Sequence, residues 1–354
     1  MNAFQLEIPY NLALKTAENK WREELMDFVK ENQDKHWNWD TLVSNPRISM
    51  EMIHANRDLP WNWPRLVANP SVTWQMIPKK KKTNNKGNWY LISENPSLTW
   101  DVILSNPNKP WVWSCLSKNP FLTWDIISAN LDKDWDWKFL SEHPNITWDI
   151  IRNNLDKPWI GSFVGRNPNI TWDIIVEIIH GFPSIPLCWT GIVMNPNITW
   201  DIIQPRLGEL STAFYYISQN PNITIDIIRA NLDHPWNWAK LTTHPNITWE
   251  IIQSNLDLPW RLKDFSRNPN LTLAIVKANP DFDWCWLFLS QNQMENDKPD
   301  VIRKELQQWF SRSNLKEELM ATVWHPRNIH KFRYLDPDTF GEHQPEEGED
   351  DFDF

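Results

Sequence analysis

Asn167-Pro168-Asn169-Ile170-Thr171-Trp172-Asp173-Ile174-Ile175 is repeated without change from Asn195 to Ile203. Near copies run from His143 to Ile151, Asn220 to Ile228 and His244 to Ile252. The Thr of the phrase, or a worn form of it, falls at Ser49, Thr73, Thr99, Thr123, Thr147, Thr171, Thr199, Thr224, Thr248 and Thr272, at intervals of 24, 26, 24, 24, 24, 28, 25, 24 and 24 residues. One further step back reaches Leu25-Met26-Asp27-Phe28-Val29, a degenerate first copy. A fixed period of this size marks a repeat architecture in which each unit buries its apolar face against its neighbours.

The copy beginning at His143 shows how a unit is built. Thr147 is an N-cap whose hydroxyl can accept a backbone N–H, and Asp149 places negative charge in the first helical turn. Ile146 and Ile151 flank the cap at the spacing of a hydrophobic staple. A short helix from Trp148 to about Asn153 follows, then a turn over Asn154-Leu155-Asp156-Lys157-Pro158. A second short helix carries Trp159 and Phe163 and stops near Asn167, before Pro168. Helices of two or three turns are unstable alone, so stacking must supply the stability.

Tryptophan dominates that stacking. Of 26 Trp, 23 fall in two phases of the repeat: seven in the Thr-Trp step and sixteen around the second helix. Six Trp-x-Trp pairs are complete, for example Trp61/Trp63, Trp111/Trp113 and Trp135/Trp137; Trp89, Trp159, Trp189 and Trp260 are single survivors. Residues two apart on a helix point to nearly opposite sides. The second Trp of each pair has an apolar residue three positions on, such as Leu66 or Leu140, and is expected in the core. The first Trp (Trp61, Trp111, Trp135, Trp159, Trp236 and Trp260) has a mixed set of residues four positions on and is expected to be half-exposed. Two uses stay open for it: packing between units, or an aromatic ladder that touches a partner.

The expected fold is an all-α solenoid, a superhelix of about ten 24-residue units with two short helices each. Residues 1–44 hold an N-terminal helix and the degenerate unit, 45–292 the Trp-rich array, 293–335 a helical C-terminal cap and 336–354 an acidic disordered tail. Within the cap, Pro299 to Arg312 and Leu315 to Trp324 read as amphipathic helices, and a polar-faced terminal unit suits a solenoid end.

Charge narrows the partners. Net charge is −10, and Glu342 to Phe354 contains seven carboxylates and no Lys or Arg, so the remainder stands at −3. Such a body lacks the basic stripe that nucleic acid requires. Cys115, Cys188 and Cys285 are far apart and form no metal motif. No basic-then-apolar leader precedes the array and no apolar run reaches membrane-spanning length, so an intracellular, non-secreted setting is expected. Six Asn-x-Thr sequons, at Asn145, Asn169, Asn197, Asn222, Asn246 and Asn270, are therefore expected to be unmodified, their Thr serving as helix caps.

Three places break the pattern. Lys79-Lys80-Lys81-Lys82 replaces the usual turn and is either a solvated loop or a basic docking site. Val176 to Tyr216 spans the 28- and 25-residue intervals and implies a bend in the superhelix, or a cleft at that bend. The acidic tail carries Phe340, Phe352 and Phe354, a composition found in segments that dock into a partner's groove. His325 and His330 show no metal-ligand spacing. No Walker loop, G-x-G-x-x-G, G-x-S-x-G, H-E-x-x-H or EF-hand pattern occurs, and no catalytic residue, cofactor or metal is expected. The acids that follow Thr-Trp form a line that compensates helix dipoles.

The Asn-Pro-Asn-Ile-Thr-Trp-Asp-Ile-Ile phrase, the Asp-x-Pro-Trp-Asn-Trp turns (Asp58 to Trp63, Asp233 to Trp238) and the closing Ala321-Thr322-Val323-Trp324-His325-Pro326-Arg327-Asn328 resemble the Trp-rich repeat proteins of giant DNA viruses that infect amoebae. The likeness covers about residues 25 to 335. It implies viral origin, membership of an expanded paralogue set and no established activity. The repeat length also resembles leucine-rich variant repeats in architecture. The expected function is a non-enzymatic scaffold for protein–protein interaction, in the host cytoplasm or the virion. Its candidate contact residues are Trp61, Trp111, Trp135, Trp159, Trp236, Trp260, Lys79, Lys80, Lys81, Lys82, Phe352 and Phe354. The alternative is a structural virion or viral-factory component that assembles with itself. A single-strand nucleic-acid reader stacking bases on Trp is a third, disfavoured by charge. The expected partner is therefore a protein, with no nucleic acid and no membrane.

Overall fold

The computed structural model describes residues 3–77 and 86–312. They form helices and connecting turns, with no strand among the described residues. Lys79 to Lys82, the expected helix from Leu315 to Trp324, His325, His330 and the tail with Phe340, Phe352 and Phe354 lie outside them. The described residues divide into two compact units, one within 28–296 and the other formed by residues 3–27 and 297–312.

Phe28–Asn296 is the repeat array. In the copy from His143, Thr147 accepts the Ile150 N–H at 3.4 Å and starts a helix over Trp148–Arg152. Ser49, Thr123, Thr171, Thr224, Thr248 and Thr272 cap in the same way, whereas Thr73, Thr99 and Thr199 make no side-chain cap bond. Asn154 then folds back, its amide donating to the Ile150 carbonyl at 2.8 Å. The second helix is shorter than expected, Gly161–Val164, and Trp159 stands in the extended lead-in before it. Where Pro64 sits in the first turn, the second helix is the 3₁₀ segment Trp63–Ala68. Ile146, Ile151 and Val164 are fully buried and form the aliphatic core of the unit.

What joins the units is a ladder of buried side chains at the first position of the phrase. The Asn167 amide donates to the carbonyls of Ser141 (3.0 Å), His143 (3.2 Å) and Ile146 (2.9 Å) in the preceding unit. Its own carbonyl oxygen accepts the Asn169 N–H at 2.9 Å. These carbonyls lie at or beyond helix ends and inside the molecule, where an unpaired polar group is expensive. Asn69, Asn95, Asn119, His143, Asn195, Asn220, His244, Asn268 and Asn292 each reach back one unit in the same manner. Ser141 adds a second rung, its hydroxyl accepting the Ile160 N–H of the next unit at 3.0 Å.

The ladder has no free end. Asn45, in the first unit, donates to the carbonyls of Asn292 (3.1 Å) and Ser290 (3.5 Å) in the last. The Ser290 hydroxyl accepts the Asn38 N–H at 2.9 Å, the counterpart of Ser141 and Ile160. Trp37 meets Trp286 edge-on at 5.1 Å, as Trp159 meets Trp137 at 5.0 Å. The superhelix therefore returns on itself, and eleven units form a closed ring in one register. The face that a terminal cap would cover on the last unit is taken by the first. At the junction, Arg47 replaces the usual Asn of the phrase; it is fully buried and donates to the Met294 carbonyl at 3.5 Å. Met294 has φ 49°, the one positive value at a non-glycine among the described residues.

Two expectations meet their physical outcome here. The degenerate copy lies inside one long helix, Ala3–Glu31, with no cap to interrupt it. From Phe28 on it takes up repeat geometry: Val29 is fully buried, and the Asn32 amide donates to the Phe28 carbonyl at 2.8 Å. The 28-residue interval leaves the ladder intact. Its four extra residues become about one more α-turn, so the first helix there runs Trp172–Gly181, and Asn195 still reaches Gly165, Asn167 and Ile170.

In the other unit, Trp21 is buried and its indole N–H donates to Asp297 at 2.6 Å. The helix Lys298–Arg312 carries Lys298, which pairs with Glu18 at 3.0 Å, and Glu305, which pairs with Lys20.

Candidate binding surface on the repeat ring

The expected roles of the two Trp are reversed. Trp61, Trp111, Trp135, Trp159, Trp236 and Trp260 are all buried, from 5% exposed at Trp61 to 9% at Trp260. The second members Trp39, Trp113, Trp137, Trp238 and Trp286 are only partly covered, and Trp63 is 44% exposed. The expectation assumed that both lie on one helix. Trp159 instead sits in the extended lead-in, where helical spacing does not apply. Its indole N–H donates to the Asn154 carbonyl at 2.8 Å, and the same bond recurs at Trp61, Trp111, Trp135, Trp236 and Trp260.

Each buried Trp also meets a ring of the preceding unit edge-on, and Trp111, Trp159 and Trp236 meet two rings. Trp159 lies 5.8 Å from Trp124 and 5.0 Å edge-on from Trp137. Trp111 lies between Trp74 and Trp89, and Trp236 between Trp200 and Phe214. Edge-to-face pairs of this kind add to the large apolar area that each indole removes from water. These Trp hold units together and are buried from a partner, so they are not contact residues.

The second helices form the inner side of the ring. Trp137–Ser141 touches Gly161–Val164, which touches Trp189–Ile192, which touches Phe214–Ile217. Trp238–Thr242, Leu262–Arg267 and Trp286–Leu289 continue the row. In a closed ring the elements that approach most closely lie on the shorter circumference. The approach is tight enough that a Cβ on Gly161 would lie 2.0 Å from the Pro186 carbonyl oxygen, and one on Gly191 2.0 Å from that of Ser162.

Side chains five, four and one residues before each ladder residue are exposed or partly exposed along this row, apart from Cys115 and Gly191. They do not repeat. At the unit closing at Asn119, Lys118 pairs with Glu94 of the preceding unit at 3.0 Å and lies 4.4 Å over the Phe139 ring of the next. Arg65 faces Asp40 at 3.9 Å, and Arg166 faces Glu142 at 3.9 Å. Burial pushes the Glu142 carboxyl up, and the charge of Arg166 offsets this. Arg267 stacks 3.3 Å from the Phe288 ring, and Lys240 lies 5.2 Å from Tyr215.

The ladder histidines were not singled out from the sequence. His143 and His244 stand in the place of Asn and reproduce its pattern: one ring nitrogen faces the Asn119 or Asn220 carbonyl (3.2 and 2.8 Å), and the other accepts the Asn145 or Asn246 N–H (3.2 and 3.1 Å). That pattern needs the neutral ring, and burial lowers both pKa values below the usual histidine range. The sequon amides are likewise engaged: Asn169 donates to Pro144 at 2.6 Å and Ile146 at 3.1 Å. Their nitrogens, the atoms a glycan would occupy, hold adjacent units together.

Cys115, Cys188 and Cys285 are free thiols, and burial pushes Cys115 up, away from reactivity. Among the described residues no group of His, Cys, Asp or Glu could hold a metal, and no helix is long and apolar enough to cross a membrane. No family model, no curated protein and no solved structure matches the chain.

Proposed function

We propose that the chain is a non-enzymatic scaffold for protein–protein interaction, of viral origin, and that its contact surface is the inner row of the ring. One observation carries this reading: the residues that repeat are those that build the ring, and the residues that vary are exposed on its inner side. Ladder Asn or His, core Ile and buried Trp recur from unit to unit because they hold neighbours together. Lys138 and Lys263, Tyr215 and Leu287 all stand five residues before a ladder residue, are exposed, and offer a cation, a phenol and an aliphatic chain at the same place. A rigid array that presents unlike side chains at a regular spacing suits recognition of another protein. The viral origin is supported by the sequence resemblance alone. Closure weighs against the alternative of a self-assembling structural component, since no unit edge remains for end-to-end growth.

The test is affinity capture with the tagged full-length chain beside a variant carrying Lys138→Ala, Tyr215→Ala and Lys263→Ala, none of which touches the ladder. A protein bound by the parent and lost by the variant supports the reading. Self-association that survives dilution, with no other protein bound, would sink it in favour of the structural role.

A further inference from the structure

The inner row is opposite in charge to the outer one. Taken at the positions five, four and one before each ladder residue, it holds seven Lys or Arg against four Asp or Glu. The second position of the first helices, from Glu51 to Glu250, is acidic in eight of nine units and never basic. In a chain of net charge −10 this segregation sets a local positive field on one side of the array.

The field is least compensated over the three units that close at His244, Asn268 and Asn292. Lys240 and Arg267 have no carboxylate partner there among the described residues, although Lys263 pairs with Asp283 at 2.5 Å. Beside Arg267 a cavity of about 340 Å³ is lined by Phe288, Pro269 and Met294, with the amides of Gln291 and Asn296 at its edge. Met294, one of its lining residues, has a left-handed backbone, and positions of this kind cluster at binding sites.

Deepening the scaffold reading, on which this rests, we propose that these three units bind an acidic peptide segment of the partner protein. Its carboxylates pair with Lys240 and Arg267, and one apolar side chain enters the cavity beside Phe288. A peptide fits better than a nucleic-acid strand. The Phe288 ring face beside the cavity, on which a base would stack, is covered by the Arg267 guanidinium.

The test measures fluorescence anisotropy of a labelled glutamate-rich peptide with one central phenylalanine, titrated with the full chain. A lysine-rich peptide and an oligo-dT strand serve as comparison probes. Saturable binding of the acidic peptide is expected, weakening about tenfold for the double variant Lys240→Glu/Arg267→Glu and also reduced for Phe288→Ala. Arg152→Glu, on the outer row, should bind like the parent, and the thermal melt of each variant reports that it is folded. An acidic peptide that does not bind, or that binds the folded double variant unchanged, overturns the proposal. So does oligo-dT binding that depends on Lys240 and Arg267. The scaffold reading is tested separately by its capture experiment and survives either result.

Discussion

The Asn45 side-chain amide donates to the Asn292 carbonyl at 3.1 Å across 247 positions of sequence. It is the same bond that joins neighbours elsewhere, as from Asn167 to His143 at 3.2 Å. An end of the array therefore has the environment of its middle. Asn45→Ala should destabilise by about 1–3 kcal/mol, close to the loss for Asn167→Ala, because each leaves buried carbonyls unpaired. Urea unfolding followed by circular dichroism checks this; an Asn45→Ala midpoint equal to the parent's would mean that the ring is open in solution.

Stability should fall on acidification through the ladder histidines. His143 and His244 have folded pKa values below the ordinary one, so their full contribution is present above the unfolded value of about 6.5. As pH drops below that value, the unfolded chain takes up protons that the folded ring refuses, until pH passes the folded pKa. The double variant His143→Asn/His244→Asn, which installs the ladder residue of nine other units, should flatten this part of the stability–pH curve. An unchanged slope in thermal melts from neutral to mildly acid pH would refute it.

The two Trp phases should differ sharply. Trp135→Ala removes a buried indole and its hydrogen bond to the Asn130 carbonyl, and should cost about 3–5 kcal/mol. Trp63→Ala, at a ring that is 44% exposed, should cost under about 1 kcal/mol. The comparison is made by equilibrium unfolding of the two variants, and equal losses would contradict the burial described above.

Glycine substitutions report the inner approach. Gly161→Ala places a Cβ against the Pro186 carbonyl, a backbone atom that cannot swing aside, and should destabilise by about 1–3 kcal/mol or more. Gly181→Ala, at the end of its helix with nothing within 4 Å, should stay within about 1 kcal/mol of the parent. Melting temperatures of the two variants separate these outcomes.

Much of the fold is legible in the sequence because it is local. Thr147 and its equivalents start helices, Pro168 stops one, and the Ile rows give the core from spacing alone. Closure is not legible, since it depends on a small rotation between units that no single unit encodes and that accumulates over the whole array. The Trp roles are illegible for a different reason: the helical period does not extend across Trp135 and Trp137, since only the second lies in the helix. The ladder left a trace that could have been used. His143 and His244 replace Asn at the head of the phrase, and His shares with Asn one donor and one acceptor held at similar reach. The inner row left none, because its side chains follow no pattern and only the ring brings them together.

A ring also counts. With eleven units each turns about 33° relative to the last, and twelve would need about 30° at every joint at once. An open array can gain or lose one unit by duplication or deletion and keep every remaining contact. Here such an event would break the contact between Asn45 and Asn292, so the closed ring fixes its own unit number, and only side chains within a set number of places are free to change.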